Sequence, residues 1–211
     1  MWVSKAGHAC VRIEQDGQVV VVDPGSLSSD DALQGADAVL ITHEHVDHVA
    51  EARLRQALQD RPGLHVWTNP SVAERLDDVA DRVTTVGPGD AFEAAGLDVQ
   101  VHGEWHAMIH PDIPVVRNTG FLVGGAVFHP GDNFTVPDAP VKLLMLPAHS
   151  PWIRAIEAVD YVRTVEPDRL APIHDGFLNE AGLALIDGLF GGGGLRMPGT
   201  YQRIGATPVE V

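Results

Sequence analysis

The chain has 211 residues, of which 45% are hydrophobic, and its mean hydropathy is +0.02. These values are typical of a globular protein, and the length predicts one domain spanning residues 1–211. The formal net charge is −15, from 29 acidic and 14 basic residues, and no cluster of Lys and Arg is present. No nucleic-acid partner is therefore expected, because such a partner requires a basic surface.

The first half of the sequence alternates strand patterns with two helical patterns. Residues 3–14 alternate between apolar and polar side chains and predict a strand, with residues 18–22 as its hairpin partner. Residues 36–41 are continuously apolar, as in a strand buried on both faces. From Val46 the apolar period becomes helical, until Pro62 and Gly63 end the helix. Further strands are predicted at residues 64–68, 82–86, 91–94 and 97–103, and a helix at residues 71–79.

The second half repeats this order of strands followed by strand–helix units. A hairpin is predicted at residues 120–123 and 126–129, and further strands at residues 141–146, 170–173 and 200–204. Amphipathic helices are predicted from Ile153 to before Pro167 and from about Asn179 to Leu189. Residues 191–194 are all glycine and predict a flexible connection. The repeated order predicts two packed halves.

The most informative segment is residues 42–48, which read T-H-E-H-V-D-H directly after the apolar run. In an extended backbone His43, His45 and Asp47 share one face, while His48 projects towards a second point. Burying so many imidazole and carboxylate groups is costly unless a cation balances them. The mixed nitrogen and oxygen donors suit zinc, manganese or iron. A helical H-E-x-x-H zinc signature does not fit, because Asp47 stands where the second histidine is required.

The pattern H-x-H-x-D-H after a buried strand resembles the metallo-β-lactamase superfamily. The segments K-A-G-H-A-C-V-R-I-E and V-V-V-D-P-G also look like the opening of its compact metal-dependent hydrolase branch, which includes ascorbate-phosphate lactonase-like proteins. The resemblance implies an α+β fold, the αββα four-layer sandwich, with the site at strand ends between the two halves. It also implies two divalent metal ions, with zinc as first choice and manganese or iron as alternatives.

The resemblance further implies a division of ligands, for which candidates occur in the required order. Metal one would take His43, His45 and His106, metal two would take Asp47, His48 and His174, and Asp132 would bridge them. His102 and His110 compete with His106 for the third position on metal one. We favour His106, because His102 falls inside its predicted strand whereas His106 lies just past the strand end. His110 is then available to line the pocket.

Several other residues near these motifs have two interpretations each. Asp23 either supports a metal-bound histidine from behind or simply ends a strand in a turn. His8 either faces the pocket or is a hydrogen-bonded strand histidine, and His129 either packs or offers a ring nitrogen to the ligands. His149 and Trp152 form a loop that either shapes substrate recognition or, through Trp152, anchors the following helix.

The expected function is that of a metal-dependent hydrolase. The resemblance implies a hydroxide bridged between two metal ions that attacks a small ester, lactone or phosphodiester. Asp47, and after it His110, are the candidates for handling a proton. The alternative is an iron-dependent redox enzyme with sulfur or oxygen chemistry. The identity of the bound metal distinguishes the two functions. A non-catalytic binding protein would show eroded ligands, whereas all seven positions are filled.

The partner expected from the sequence is a small-molecule substrate. No apolar stretch is long enough to span a bilayer, so no membrane partner is expected. The single cysteine, Cys10, cannot form an internal disulfide, and the N-terminus lacks a signal-peptide pattern, which together predict a cytoplasmic location. Whether the protein is a homo-oligomer is left open by the sequence.

Overall fold

The computed structural model describes residues 1–192 and 195–211. In these ranges the strands are β1 (Trp2–Lys5), β2 (Val11–Gln15), β3 (Gln18–Val22), β4 (Ala38–Ile41), β5 (His65–Thr68), β6 (Val83–Thr85), β7 (Ala91–Ala94), β8 (Leu97–His102), β9 (Gly120–Val123), β10 (Val127–His129), β11 (Leu143–Pro147), β12 (Arg169–Ile173), β13 (Thr200–Tyr201) and β14 (Val209–Glu210). The helices are α1 (Glu51–Asp60), α2 (Pro70–Arg75), α3 (Ala155–Val165) and α4 (Glu180–Phe190), and a 3-10 segment (Asp77–Arg82) follows α2. None of the helices in the described ranges has the length and hydropathy needed to cross a bilayer. A flexible connection is predicted for residues 191–194, and residues 193 and 194 of it lie outside the described residues.

The strands form two seven-stranded sheets of mixed direction. The first has the order β14-β1-β2-β3-β4-β5-β6, and its strands from β3 to β6 are parallel. The second has the order β13-β12-β11-β10-β9-β8-β7, and its strands from β10 to β13 are parallel. Parallel strands end at the same edge of a sheet, so loops that follow them meet there. This is where the predicted metal ligands lie.

Three apolar clusters define four layers. The central cluster lies between the sheets and includes Leu40 from the first sheet and Met145 from the second, both fully buried. A second cluster joins the outer face of the first sheet to α1 through Leu54. A third joins the outer face of the second sheet to α3 through Val159 and Val162. Helices therefore cover both outer faces, and the predicted αββα sandwich is confirmed.

Some predicted boundaries are wrong. The strand predicted over residues 3–14 is two strands, β1 and β2, which pair antiparallel across a turn at Gly7. Gly7 has φ +97°, and an added Cβ would lie 2.6 Å from the carbonyl oxygen of Leu27, so the turn requires glycine. Small and apolar residues on both sides of Gly7 can be read as part of one strand, so the pattern alone did not show the turn.

The first helix and the C-terminal strands also differ from the prediction. The helix expected from Val46 begins at Glu51, and the preceding residues form a loop in which the N–H of Ala50 donates to the carbonyl of Pro24. The strand predicted at residues 200–204 is limited to β13, which pairs with β12. Strand β14 was not predicted, and it extends the first sheet by pairing with β1.

Candidate metal centre

The structure brings all seven predicted ligands to one place between the sheets. His43, His45, Asp47 and His48 lie on the loop after β4, His106 lies after β8, Asp132 after β10 and His174 after β12. Their donor atoms fall into overlapping groups in which every atom lies within 4.8 Å of the others. These loops follow β4 in the first sheet and β8, β10 and β12 in the second, and their donor atoms converge at the ends of these strands.

The first group consists of three histidines. His43 Nε2 and His45 Nδ1 lie 3.0 Å apart, and His106 completes a set within 4.8 Å. Burial lowers the pKa of His43 well below its usual value and also lowers the pKa of His45. The rings of His43 and His45 are therefore neutral, and converging nitrogen lone pairs suit a shared cation.

The second group shares Asp132 with the first. His48 Nε2 lies 3.2 Å from Asp132 Oδ1, and His174 Nε2 lies 3.1 Å from Asp132 Oδ2. His174 Nε2 is also 3.4 Å from Asp47 Oδ2. On the other side, His106 Nε2 is 3.4 Å from Asp132 Oδ2. The Asp132 carboxylate thus contacts histidines of both groups, as a bridging ligand would.

Hydrogen bonds behind three of the histidines orient their rings. His106 Nδ1 donates to the Ala107 carbonyl at 2.6 Å, and His174 Nδ1 donates to the His149 carbonyl at 2.6 Å. His48 Nδ1 lies 2.6 Å from Asp23 Oδ2. With the proton on Nδ1, the Nε2 lone pair of each ring is directed at the centre.

A cation fits this arrangement because buried polar atoms in it lack partners. Within the described residues, His48 Nε2, His106 Nε2 and Asp132 Oδ1 are buried and make no hydrogen bond of good geometry, although His48 Nε2 and Asp132 Oδ1 lie 3.2 Å apart. Buried polar groups are nearly always paired, and metal coordination would satisfy all three atoms. The donors are imidazole and carboxylate without thiolate, a set that zinc, manganese and iron all accept.

In the second group, a cation would replace protons that His48 and His174 hold in the metal-free protein. Burial alone would lower the pKa of His48, but the carboxylates of Asp132 and Asp23 raise it well above its usual value. Burial would likewise lower the pKa of His174, but hydrogen bonds to Asp132 and Asp47 raise this pKa to about 9. Without metal these imidazoles hold protons against the carboxylates, so metal binding releases protons.

Asp23 supports ligands of both groups. It is fully buried and accepts from Thr42 N at 2.7 Å, from Thr42 Oγ1 at 2.6 Å and from His48 Nδ1. Since the Thr42 hydroxyl donates to Asp23, its oxygen is free to accept from His43 Nδ1, 3.0 Å away. Of the two interpretations of Asp23, these contacts match the supporting carboxylate.

Thr42 and Asn118 are two supporting residues that the sequence analysis missed. Asn118 Oδ1 accepts from the N–H of Asp132 at 2.9 Å, and its Nδ2 donates to the Pro130 carbonyl at 2.8 Å. His129 assists this turn, since its Nδ1 accepts from the N–H of Gly131 at 3.2 Å. Thr42 was visible as the first residue of the motif, but nothing local distinguished Asn118 from an ordinary loop asparagine.

His8 has the tautomer of a donor to Asp47. The N–H of Gly176 donates to His8 Nδ1 at 3.0 Å, so the proton of the neutral ring is on Nε2, which lies 3.2 Å from Asp47 Oδ2. Burial lowers the pKa of His8, which keeps the ring neutral. Although His8 lies in a group that could hold a metal, this tautomer has no free Nε2 lone pair. His8 therefore orients Asp47.

Three of the six described non-glycine residues with positive φ lie around the same atoms. His8, Asp23 and His174 have φ values of 32°, 50° and 57° in the left-handed region, which is uncommon for residues with a side chain. All three are buried. Such strain persists only where surrounding contacts hold it, and it occurs often at functional sites.

The remaining predicted residues lie at the edge of the centre. The His110 side chain is 60% exposed, and its Nδ1 accepts from the N–H of Asp112, so the structure does not bring it among the ligands. Its proposed role with a proton stays a prediction. Trp152 Nε1 donates to Asp132 Oδ2 at 3.3 Å, whereas His149 contributes its carbonyl rather than its ring.

The fold and the centre together define a class of protein: an αββα sandwich with a metal-binding histidine and aspartate cluster at the strand ends. A family model described as a beta-lactamase superfamily domain matches residues 2–174, from the first strand through His174. The chain belongs to the metallo-β-lactamase superfamily.

Related proteins are similar over most of this chain. Protein Rv0786c of Mycobacterium tuberculosis is 38% identical over 184 residues, covering 84% of this chain and 85% of its own. UPF0173 metal-dependent hydrolase MJ1163 of Methanocaldococcus jannaschii is 24% identical over 183 residues, covering 80% and 81%. Among solved structures, Igni18, a metallo hydrolase from Ignicoccus hospitalis, has a TM-score of 0.71 at 18% identity, covering 100% of this chain and 98% of its own. The metallo-beta-lactamase fold protein YhfI from Bacillus subtilis has a TM-score of 0.72 at 13% identity, covering 99% and 98%.

Proposed function

We propose that this protein is a metal-dependent hydrolase that cleaves a small ester, lactone or phosphodiester, in the compact branch that includes ascorbate-phosphate lactonase-like proteins. The observation that carries the proposal is Asp132, whose carboxylate contacts histidines of two ligand groups. Membership of the superfamily supports it, as do relatives that are themselves named metal-dependent hydrolases. A cytoplasmic location is part of the proposal, supported by the free thiol of Cys10.

The proposal assigns two cations to the centre. One would be held by His43, His45 and His106, the other by Asp47, His48 and His174, and Asp132 would be shared. Two divalent cations bound there would supply positive charge that polarises a substrate oxygen. They would also lower the pKa of a bound water, so that hydroxide is available near neutral pH.

The chain's own residues keep the carboxylate ligands in place. Trp152 donates to Asp132 Oδ2, and Asn118 holds the backbone of Asp132 from behind. His8 donates to Asp47 Oδ2. Because both carboxylates are held in position, the arrangement of the ligands is formed before substrate binds. Such preorganisation is the condition for strong electrostatic catalysis. The roles in proton transfer predicted for Asp47 and His110 stay predictions.

A solvent nucleophile is favoured over a side chain. Burial raises the pKa of the Cys10 thiol to about 12, so its thiolate is not formed at neutral pH. Cys10 is also fully buried in the cluster between the first sheet and α1. Its role is packing.

The test is metal content together with hydrolysis. Protein purified without added metal, analysed by mass spectrometry, should contain about two equivalents of zinc or manganese, and Asp132→Ala should lose metal and hydrolysis of a panel of esters, lactones and phosphodiesters. Asp160→Ala is the matched control, because this carboxylate is 66% exposed on α3, outside the segments that carry the ligands. A single iron that is retained in Asp132→Ala would reject the shared centre and favour redox chemistry.

A further inference from the structure

Exposed apolar side chains are concentrated on the segments that carry the metal ligands. Among the described residues, seven of the thirteen large hydrophobic side chains that are exposed lie there. They are Val46, Trp105, Met108, Ile109, Ile113, Val115 and Phe177. Single exposed apolar residues are common on protein surfaces, but a group beside a reaction centre marks a ligand site.

Four of these side chains belong to one loop, residues 107–117, whose two ends are both fixed to Asp132. At the first end, the N–H of Ala107 donates to the carbonyl of Asp132 at 2.9 Å. At the second end, Asn118 accepts from the N–H of Asp132 at 2.9 Å. The loop therefore rises from the rim of the metal centre, and it places Met108, with 62% of its surface exposed, two residues from His106.

Phe177 connects the centre to solvent from another segment. Its ring centroid lies 5.1 Å from that of His8 and 6.2 Å from that of His174, both of which are buried. Phe177 is nevertheless 63% exposed. Part of its ring thus packs on the centre, and the rest is available to a ligand.

The charges around this rim are unsuitable for an anionic substrate. Arg75 is bound to Glu44 at 3.1 Å, and Arg117, at the end of loop 107–117, to Glu104 at 2.8 Å. Lys5 is bound to Asp175, which follows His174, at 2.5 Å, and Arg154, two residues after Trp152, to Glu157 at 3.2 Å. Glu44 lies between two ligands, and the whole chain carries a formal charge of −15. Positive charge for a phosphate would have to come from the metals alone.

We infer that the substrate is an uncharged ester or lactone that carries an apolar alkyl or aryl group, and that this group lies against Phe177 and the apolar side chains of loop 107–117. The inference rests on the proposed hydrolase function and narrows its substrate class by disfavouring phosphodiesters. Burial of each methylene should improve binding about threefold to fourfold.

The experiment is a chain-length series of p-nitrophenyl esters from acetate to octanoate, with bis(p-nitrophenyl) phosphate as the anionic comparison. For the wild type, kcat/KM should rise about threefold to fourfold per methylene over the first few additions. Ile109→Ala should flatten this dependence while keeping metal content and thermal stability. Phe177→Ala should flatten it too, with kcat/KM compared per bound metal because the ring also packs on His8 and His174. Leu185→Ala is the control, because this side chain is 74% exposed on α4, and it should keep the full dependence.

The outcomes separate this inference from the proposed function. Hydrolysis that is independent of chain length, or a preference for the phosphodiester, would overturn the inference and leave the hydrolase intact. If no substrate is cleaved, the hydrolase proposal fails, and calorimetric binding of acetohydroxamic and octanohydroxamic acid still decides the apolar site. Tighter binding of the longer acid that is lost in Phe177→Ala supports the site, and equal binding of the two acids rejects it.

Discussion

Replacing Asp23 with alanine removes one carboxylate on which ligands of both metal groups depend. Thr42 N, Thr42 Oγ1 and His48 Nδ1 approach its oxygens at 2.7, 2.6 and 2.6 Å, and the site is fully buried. Without metal, His43 can carry its proton on Nε2, so that its Nδ1 accepts from the Thr42 hydroxyl 3.0 Å away. Two buried donors, Thr42 N and His48 Nδ1, are then left without an acceptor. Each costs ~1–3 kcal/mol, so Asp23→Ala should destabilise the metal-free protein by about 2–6 kcal/mol.

Asp23→Asn separates the loss of a hydrogen bond from the loss of ring orientation. The amide keeps the size of the side chain and still accepts from Thr42 N, so the loss of stability should be smaller than in Asp23→Ala. Its N–H₂ group, however, faces His48 Nδ1 and favours the tautomer with the proton on Nε2. That proton occupies the position of the metal, so affinity should fall about 10–100-fold.

Two measurements test the pair of variants. Urea denaturation of the metal-free proteins gives the free energy of unfolding, and competition with a chelator gives metal affinity. Asp112→Ala, at an exposed carboxylate, should match the wild type in both. If Asp23→Asn binds metal as tightly as the wild type, the proposed support of His48 by Asp23 is wrong.

Three further predictions follow from buried groups. His8→Ala should weaken metal binding at the Asp47 group, and His8→Gln should retain more of it because glutamine can donate to Asp47; equal metal stoichiometry in both would contradict the positioning role. Cys10, with a pKa of about 12 and no exposure, should react with a thiol reagent only after denaturation, and rapid labelling of the native protein would refute its burial. The pKa of His174 is raised to about 9 by Asp132 and Asp47, against about 6.5 when unfolded, so in metal-free protein its ion pairs stabilise fully below pH 6.5 and are lost as pH rises through 9. The urea midpoint of chelator-treated protein should therefore fall between pH 6 and pH 9.5, and a midpoint that rises over this range would exclude these ion pairs.

Much of the architecture was predictable because it depends on local periodicity. The apolar runs that became β3 and β4 and the alternation in β2 and β8 were sufficient to predict strands, and helical spacing predicted α3 and α4. The motif at residues 42–48 was recognisable for the same reason, since its ligand spacing is set by extended backbone over a few residues.

Turns and the ends of helices and strands were predicted less well, because the periodicity of apolar residues does not show where an element ends. Residues 3–14 could be read as one strand although the chain reverses at Gly7. The apolar residues after Val46 suggested a helix, yet the loop that carries Asp47 and His48 passes so close to Gly25 that a Cβ there would lie 1.8 Å from the Asp47 carbonyl oxygen. The close contact between this loop and Gly25, rather than helix propensity, is the reason that the helix begins only at Glu51.

The sequence by itself determined the kind of atoms in the centre, their order along the chain and the strands that deliver them. Only the tertiary structure decided how those atoms are held. Asp23 meets His48 across 25 residues, Asn118 meets Asp132 across 14, and His8 meets Gly176 across 168. These bonds set the tautomers and the direction of each lone pair. They depend on which strands lie side by side in the two sheets, and such long-range pairing leaves no periodic signal in the residues that take part.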